Sequence, residues 1–300
     1  MIEKRTDLAV EARELWDEKT GGETEVEGIE ISDRWSNGFK ITAVRIKDER
    51  GSKILCKPIG RYSTVFLDAF LSRRDESFNA GAETIAEEIR AMAGLKDGDT
   101  VLVVGLGNRF ITPDAVGPQT VKSTLATRHL IGSSPEEFRD FRPVAAIETG
   151  VLGSTGIESA EMIRALTDKL SPDCVIAVDA LASRSVDRVC RTVQITDTGI
   201  VPGSGVGNAR EEINEKTLGV KVIAVGVPTV VDAATMCAQL VEETGGSADE
   251  TRLRRAAGDM IVTPREIDQR VADISKMVGY GINLALHGGI SVDDITMFLG

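Results

Sequence analysis

Apolar and polar positions change rhythm along this chain. From Phe39 to Ile46, apolar Phe39, Ile41, Ala43, Val44 and Ile46 are interleaved with polar side chains, the two-residue period of a strand with one buried face. Lys53–Pro58 and Ser63–Leu67 read as further strands, so the N-terminal portion is β-rich. Over Asn79–Ala93 the spacing changes. Ile85, Ile89 and Met92 fall on one side of a helix that Asn79 is placed to cap. Beyond Thr100 strands and helices alternate. Strands are predicted at Thr100–Gly105, Val144–Ile147, Cys174–Val178, Val189–Ile195 and Lys221–Val225, and helices at Asp114–Leu130, Glu158–Leu170 and Val231–Glu243. These strands are rich in Val, Ile and Ala without alternation, as expected when both faces are covered. The pattern predicts an α/β fold: a doubly wound, mostly parallel sheet flanked by helices, with the β-rich N-terminal portion added to it.

Residues 242–259 are charged, contain glycine and lack a period, which predicts a mobile loop. Thr263-Pro264-Arg265-Glu266 then has the form of a helix start, with Thr263 as cap and Pro264 in the first helical position. The helix is predicted to reach His287 on the apolar stripe Ile267, Val271, Ile274, Val278, Ile282 and Leu286.

The 300 residues are 42% hydrophobic, enough for a single packed domain over 1–300. A net charge of −12 argues against nucleic acid and against an anionic membrane surface as partners. No apolar run approaches the ~20 residues that cross a bilayer, and Met1–Arg5 lacks the apolar stretch of a signal peptide. Cys56, Cys174, Cys190 and Cys237 form no Cys-x-x-Cys pair, and Cys174 and Cys237 sit in core-like patterns. A reduced, cytoplasmic setting fits this usage.

The candidate chemistry lies in two acids at strand ends. Asp114 follows the strand and glycine-rich turn Val101–Gly107, and Asp179 ends Cys174–Val178. In open α/β sheets functional groups collect where strands give way to loops. Either acid alone could be a helix cap; the pair at one sheet edge points to carboxylate chemistry. Gly105-Leu106-Gly107 is not a dinucleotide fingerprint, because Phe110 occupies the place of the third glycine. His129 and His287, the two histidines, read as helix-end cations or surface residues, so no metal site and no cofactor is expected. No Gly-x-Ser-x-Gly elbow is present. The loop Gly203–Gly207 could offer backbone N–H groups to a carbonyl, or be an ordinary turn. Glu148 is a candidate third rim acid, although a buried structural partner is the better reading. Thr229 or Asp232 is placed to cap the helix that follows.

Several longer motifs carry a resemblance. They are Arg5-Thr6-Asp7-Leu8-Ala9-Val10-Glu11-Ala12; Gly105-Leu106-Gly107-Asn108 with Thr112-Pro113-Asp114-Ala115-Val116-Gly117-Pro118; Val178-Asp179-Ala180-Leu181-Ala182-Ser183-Arg184; Pro202–Asn208; Val225–Ala233; and Val262–Asp268. In this order, from Arg5 to His287, they resemble the germination protease family of spore-forming bacteria. The resemblance implies an endopeptidase that degrades small acid-soluble spore proteins when germination starts. It implies a zymogen that processes itself, a homotetramer, and a phosphorylase/hydrolase-like α/β fold related to hydrogenase-maturation endopeptidases. The family's two catalytic aspartates match Asp114 and Asp179. Its self-cleaved bond matches Asp7–Leu8, giving a propeptide of residues 1–7. Family members usually carry more residues before this motif than the four found here. Gly107, Asn108, Gly205 and Glu148 are the candidate substrate-binding residues. Two carboxylates held close would share a proton, one acting as base on water and the other as acid. The alternatives are a metal-dependent maturation endopeptidase and a hydrolase like peptidyl-tRNA hydrolase.

Overall fold

The computed structural model describes residues 6–21, 26–72, 76–133, 138 and 140–300. Nine strands form one sheet: β1 (Ile29–Ser36), β2 (Phe39–Ile46), β3 (Gly60–Phe66), β4 (Val101–Leu106), β5 (Val144–Gly150), β6 (Cys174–Ser183), β7 (Thr192–Thr196), β8 (Lys221–Asp232) and β9 (Ile261–Val262). Their order is β1-β2-β3-β7-β8-β6-β4-β5, with β9 paired to β8. The fold is α/β, as the alternation of elements predicts. Strands β5, β4, β6 and β8 are mutually parallel; β7, β3, β2 and β1 extend the sheet antiparallel. The strand expected over Val189–Ile195 is β7. Only the short link Arg184–Arg191 joins it to β6, and a parallel return needs a dozen or more residues, so the chain comes back antiparallel.

Successive side chains of the parallel strands enter opposite cores. Val101 and Val103 of β4, with Ile176 and Val178 of β6, pack under helices Ser77–Ala93 and Ile267–Leu286. Leu102, Val104, Val175 and Ala177 face the other way, with Ala160 and Ile163 of helix Ser159–Leu170. The apolar stripes foreseen on Ile85, Ile89 and Met92, and on Val271, Ile274, Val278, Ile282 and Leu286, are the buried faces of their helices.

Several local expectations are corrected. Lys53–Pro58 is not a strand. It overlaps helix Glu49–Leu55, which Asp48 caps by accepting from the amides of Arg50 and Gly51. Asn79 lies inside its helix, which starts at Ser77. The helix foreseen over Asp114–Leu130 is three pieces: a 3-10 turn at Thr112–Asp114 and helices Val116–Lys122 and Arg128–Ser133. Buried Asn283 is the cause, since its side chain takes the Ser123 carbonyl (2.9 Å) and the Leu125 amide (2.8 Å) that a continuing helix would use. Thr263 caps nothing; its hydroxyl donates to the Thr229 carbonyl and the helix begins at Ile267. Asp232, not Thr229, caps the helix Ala233–Glu243 through the Thr235 amide. Within 242–259, residues Glu250–Ala257 are helical, with Asp249 as cap. His287 is no surface cation. It is buried against Phe141, with Nδ1 accepting from the Arg142 amide. No helix among the described residues is long and apolar enough to cross a membrane.

Candidate active site

Asp179 owes its position to strand alternation. It follows Val175 and Ala177 in parity, so its side chain turns to the face covered by helix Ser159–Leu170. It is not at the strand end foreseen: β6 loses its β4 partner after Val178 but stays paired with β8 to Ser183. Asp179 therefore lies inside the strand beside Gly226, 5% exposed, with Oδ1 accepting from the Ala180 amide at 2.9 Å.

Asp114 arrives by a route that depends on missing side chains. After β4 the chain turns at Gly107, whose φ of +103° is unfavourable for other residues and whose added Cβ would stand 2.1 Å from the Asp114 carbonyl oxygen. The next amide, Asn108 N–H, donates to Asp114 Oδ2 at 2.8 Å. Helix Val116–Lys122 then lies backbone-to-backbone on the sheet. A Cβ on Gly117 would come within 2.2 Å of the Leu106 carbonyl and 2.6 Å of that of Val178; one on Gly105 would come within 2.3 Å of the Gly117 carbonyl. The turn carrying Asp114 is tied down by Thr229 Oγ1 to the Pro113 carbonyl (2.6 Å) and Thr112 Oγ1 to Asp268 (2.6 Å).

The two acids line one cleft of about 440 Å³ at the carboxyl edge of the parallel strands. Burial first, and then the charge of Asp114 and that of Asp7, hold the Asp179 carboxyl well above the usual carboxylate range, against the opposing Ala180 amide. Burial also raises Asp114, opposed by the Asn108 amide. Gly107, Asn108 and Gly205 line the cleft. The Asn108 side chain is turned inward on its own loop, accepting from the Phe110 amide. Glu148 is not among the lining residues; it pairs with Arg109 at 2.5 Å. Among the described residues no three His, Cys, Asp or Glu side chains are grouped to hold a metal ion.

The chain's own N-terminal segment occupies this edge. Thr6 and Asp7 are described; residues 1–5 lie outside the described residues. The Asp7 amide donates to the Ala182 carbonyl (3.1 Å), so the segment lies alongside the end of β6. The Asp7 carboxylate accepts from Ser204 Oγ (2.6 Å) and the Ala182 amide (2.9 Å). Gly205 closes this slot, where a Cβ would stand 2.1 Å from Asp7 Oδ2. The loop Gly203–Gly207 thus meets the segment through the Ser204 hydroxyl. Leu8 is buried with Val10 and Leu181. The buried Glu11 accepts from the amides of Arg184 (2.7 Å) and Ser185 (3.0 Å), and from Arg188 and the Thr6 hydroxyl. Lys57 Nζ and Gln194 Nε2 both donate to the Asp7 carbonyl. Ser204, Lys57 and Gln194 all contact Asp7, and sequence reasoning singled out none of them for this. The signal available for Gln194 was one amide in the apolar run Val193-Gln194-Ile195.

A family model described as germination protease matches residues 9–244. The chain belongs to the germination protease family. It is 41% identical to a germination protease of Clostridium tetani, over 98% of this chain and 99% of that one. It is 42% identical to one of Caldanaerobacter subterraneus, covering 98% of each, and 36% identical to one of Oceanobacillus iheyensis, over 98% and 97%. Membership makes the chain a protease. Among solved structures it is similar to a NiFe hydrogenase maturation protease, HycI, from Thermococcus kodakarensis, at 15% identity and a TM-score of 0.35 over 64% of this chain and 98% of that one.

Proposed function

We propose that this protein is the spore endopeptidase that begins the degradation of small acid-soluble spore proteins at germination, with Asp114 and Asp179 as its catalytic pair. One observation carries the assignment of the pair: a buried Asp179, its proton affinity raised by burial and by the charge of Asp114, at the cleft where the chain's own Asp7 is docked. With one proton between them, the ionised carboxylate takes a proton from water as the water oxygen attacks the peptide carbonyl. The protonated carboxyl then delivers its proton to the leaving nitrogen. The apparent pKa values belong to the pair, and neither role is fixed on one residue.

The bond cut in self-processing is Asp7–Leu8, which releases residues 1–7. The docking of Asp7 supports this choice and supports a preference for an acidic residue before the cut bond. The substrate contacts of Gly107, Asn108 and Gly205 are backbone contacts along the cleft; Glu148 acts at its rim through Arg109. The assembly is a homotetramer in the cytoplasm of the developing and germinating spore. It needs no cofactor and no nucleic-acid or membrane partner.

The test is incubation of the purified chain with a small acid-soluble spore protein, with and without chelator, followed by mass analysis of both proteins. The expected result is substrate cut after an acidic residue, loss of seven residues from this chain, and no effect of chelator. Asp114→Asn and Asp179→Asn are each expected to lower cleavage by at least about 1,000-fold while remaining folded. A fully active Asp179→Asn chain would sink the scheme.

A further inference from the structure

The Asp7 carbonyl is the one whose carbon must be attacked if the Asp7–Leu8 bond is cut, so what surrounds its oxygen matters. Lys57 Nζ lies 3.1 Å from that oxygen and Gln194 Nε2 lies 3.2 Å from it. Both donors are fixed by other bonds. Lys57 follows helix Glu49–Leu55, which ends at left-handed Cys56, and its backbone is held at both ends by Ser52: the Lys57 amide donates to the Ser52 carbonyl, and the Ser52 hydroxyl donates to the Lys57 carbonyl. The Lys57 ammonium also donates to the Thr6 carbonyl at 3.0 Å. Gln194 is buried on β7, and its Oε1 accepts from the Ala9 amide at 2.8 Å. One primary amide therefore grips the segment on both sides of Leu8, reading the carbonyl of residue 7 and the amide of residue 9.

We propose that Lys57 and Gln194 are catalytic residues that form the oxyanion site of the self-processing reaction. This rests on the reading that Asp114 and Asp179 act on the Asp7–Leu8 bond. Asp7 borders two hollows. One is the cleft with both aspartates, and the other is lined by Lys57 and Gln194. Water and its base thus approach from the first, and the donors meet the carbonyl oxygen from the second. The water oxygen bonds to the Asp7 carbonyl carbon, one water proton passes to the carboxylate, and the carbonyl π pair moves onto oxygen. Collapse restores the carbonyl and breaks the C–N bond; the electron pair stays on the Leu8 nitrogen, which takes the proton from the carboxyl. The products are the Asp7 carboxylic acid and the Leu8 amine. Lys57 keeps its protons throughout and lends only charge and a hydrogen bond. At 3.1 and 3.2 Å to the neutral carbonyl, both bonds have room to shorten as negative charge develops, which is how a donor pair favours the transition state over the ground state.

The experiment follows loss of residues 1–7 from the full chain by intact mass, in wild type, Lys57→Met, Lys57→Arg and Gln194→Glu. Gln194→Glu keeps an acceptor for the Ala9 amide and replaces the donor. Lys57→Met and Gln194→Glu are each expected to slow processing by about a hundredfold. Lys57→Arg, which keeps the charge, is expected to recover most of the rate. Docking is measured separately, by hydrogen exchange at the Asp7 and Ala9 amides with each variant placed in an Asp179→Asn chain so that the segment stays attached. Unchanged protection together with slow processing is the expected outcome. Two results overturn the proposal: variants that process at the wild-type rate, or slow processing explained by loss of protection, which would make Lys57 and Gln194 anchors only. A wild-type chain that cuts spore protein but not its own Asp7–Leu8 bond also overturns it while leaving the aspartate pair intact; a chain that cuts neither overturns both.

Discussion

Asp179 shows how a single buried acid ties stability to chemistry. Its carboxyl is raised well above the ordinary value by burial and by Asp114, so the charged form costs folding free energy. The folded state binds this proton more tightly than the unfolded state. Stability is therefore lost as pH rises from the unfolded carboxylate value, about 4, through the folded one. Asp179→Asn is expected to melt at a higher temperature than uncleaved wild type at pH 7, with the gain shrinking toward pH 4. Thermal unfolding across that range checks it, and an unchanged melting temperature at pH 7 would contradict the burial argument. Cleavage by wild type should persist above the ordinary carboxylate range and fall once both acids ionise. His287 has the opposite sign. Burial first, and then the Arg142 charge, push it down from 6.5 to about 4. Between these values the unfolded state takes the proton and the folded state does not, so stability falls as pH drops through this window. His287→Asn, which keeps an acceptor for the Arg142 amide, should remove on the order of 3 kcal/mol of that dependence in denaturant titrations at pH 4.5 and 7. At Ser204 the hydroxyl donates to the Asp7 carboxylate. Ser204→Ala should narrow the preference for aspartate over asparagine before the cut bond by about tenfold, read as kcat/KM on paired peptides. An unchanged ratio would remove Ser204 from acid recognition.

At the scale of elements, the helix Val116–Lys122 decides whether Asp114 reaches Asp179. Alanine in place of Gly117 gains about 1 kcal/mol of helix propensity. It also drives a methyl group onto backbone atoms of Leu106 and Val178 at 2.2–2.6 Å, which cannot rotate away. Overpacking of this kind costs about 1–3 kcal/mol, so the steric effect wins. Gly117→Ala is expected to lower stability and to cut proteolysis more than tenfold through displacement of Asp114; normal cleavage would show that the close approach is dispensable. Elements with one strong period were legible in the sequence: β2, the helix Ser159–Leu170, and most of Ile267–Leu286. Elements decided by distant partners were not. The break after Lys122 needs Asn283, 160 residues downstream of Ser123. Strand β1 carries apolar Ile29, Ile31 and Trp35 at alternate positions, but it is an exposed edge with only Ile29 buried, so this short alternation does not mark a core face.

Across the whole molecule, the sheet divides the labour. Four parallel strands bring Asp114 and Asp179 to one edge, while the antiparallel extension supplies Gln194 from β7 and lies beside Lys57. The N-terminal segment bridges the two halves at Asp7, with Ser204 and Ala182 on one side and Lys57 and Gln194 on the other. In light scattering, the assembled protein is expected to have the mass of four chains; a monomer mass at micromolar concentration would contradict the homotetramer.

The sequence by itself determined the α/β class and the strands with two buried faces, because burial writes local periods. It marked Asp114 and Asp179 as the candidate pair but ended β6 at Val178, whereas the strand runs on to Ser183. Family motifs further marked Asp7–Leu8. Only the tertiary structure decided that Asp114 and Asp179 share a cleft, that Glu148 stands outside it, that His287 is buried, and that Lys57, Gln194 and Ser204 converge on Asp7. These depend on backbone approach at glycines and on contacts across 50 to 197 positions of chain. No local period records such contacts, since their free energy comes from groups that meet only once the sheet is assembled.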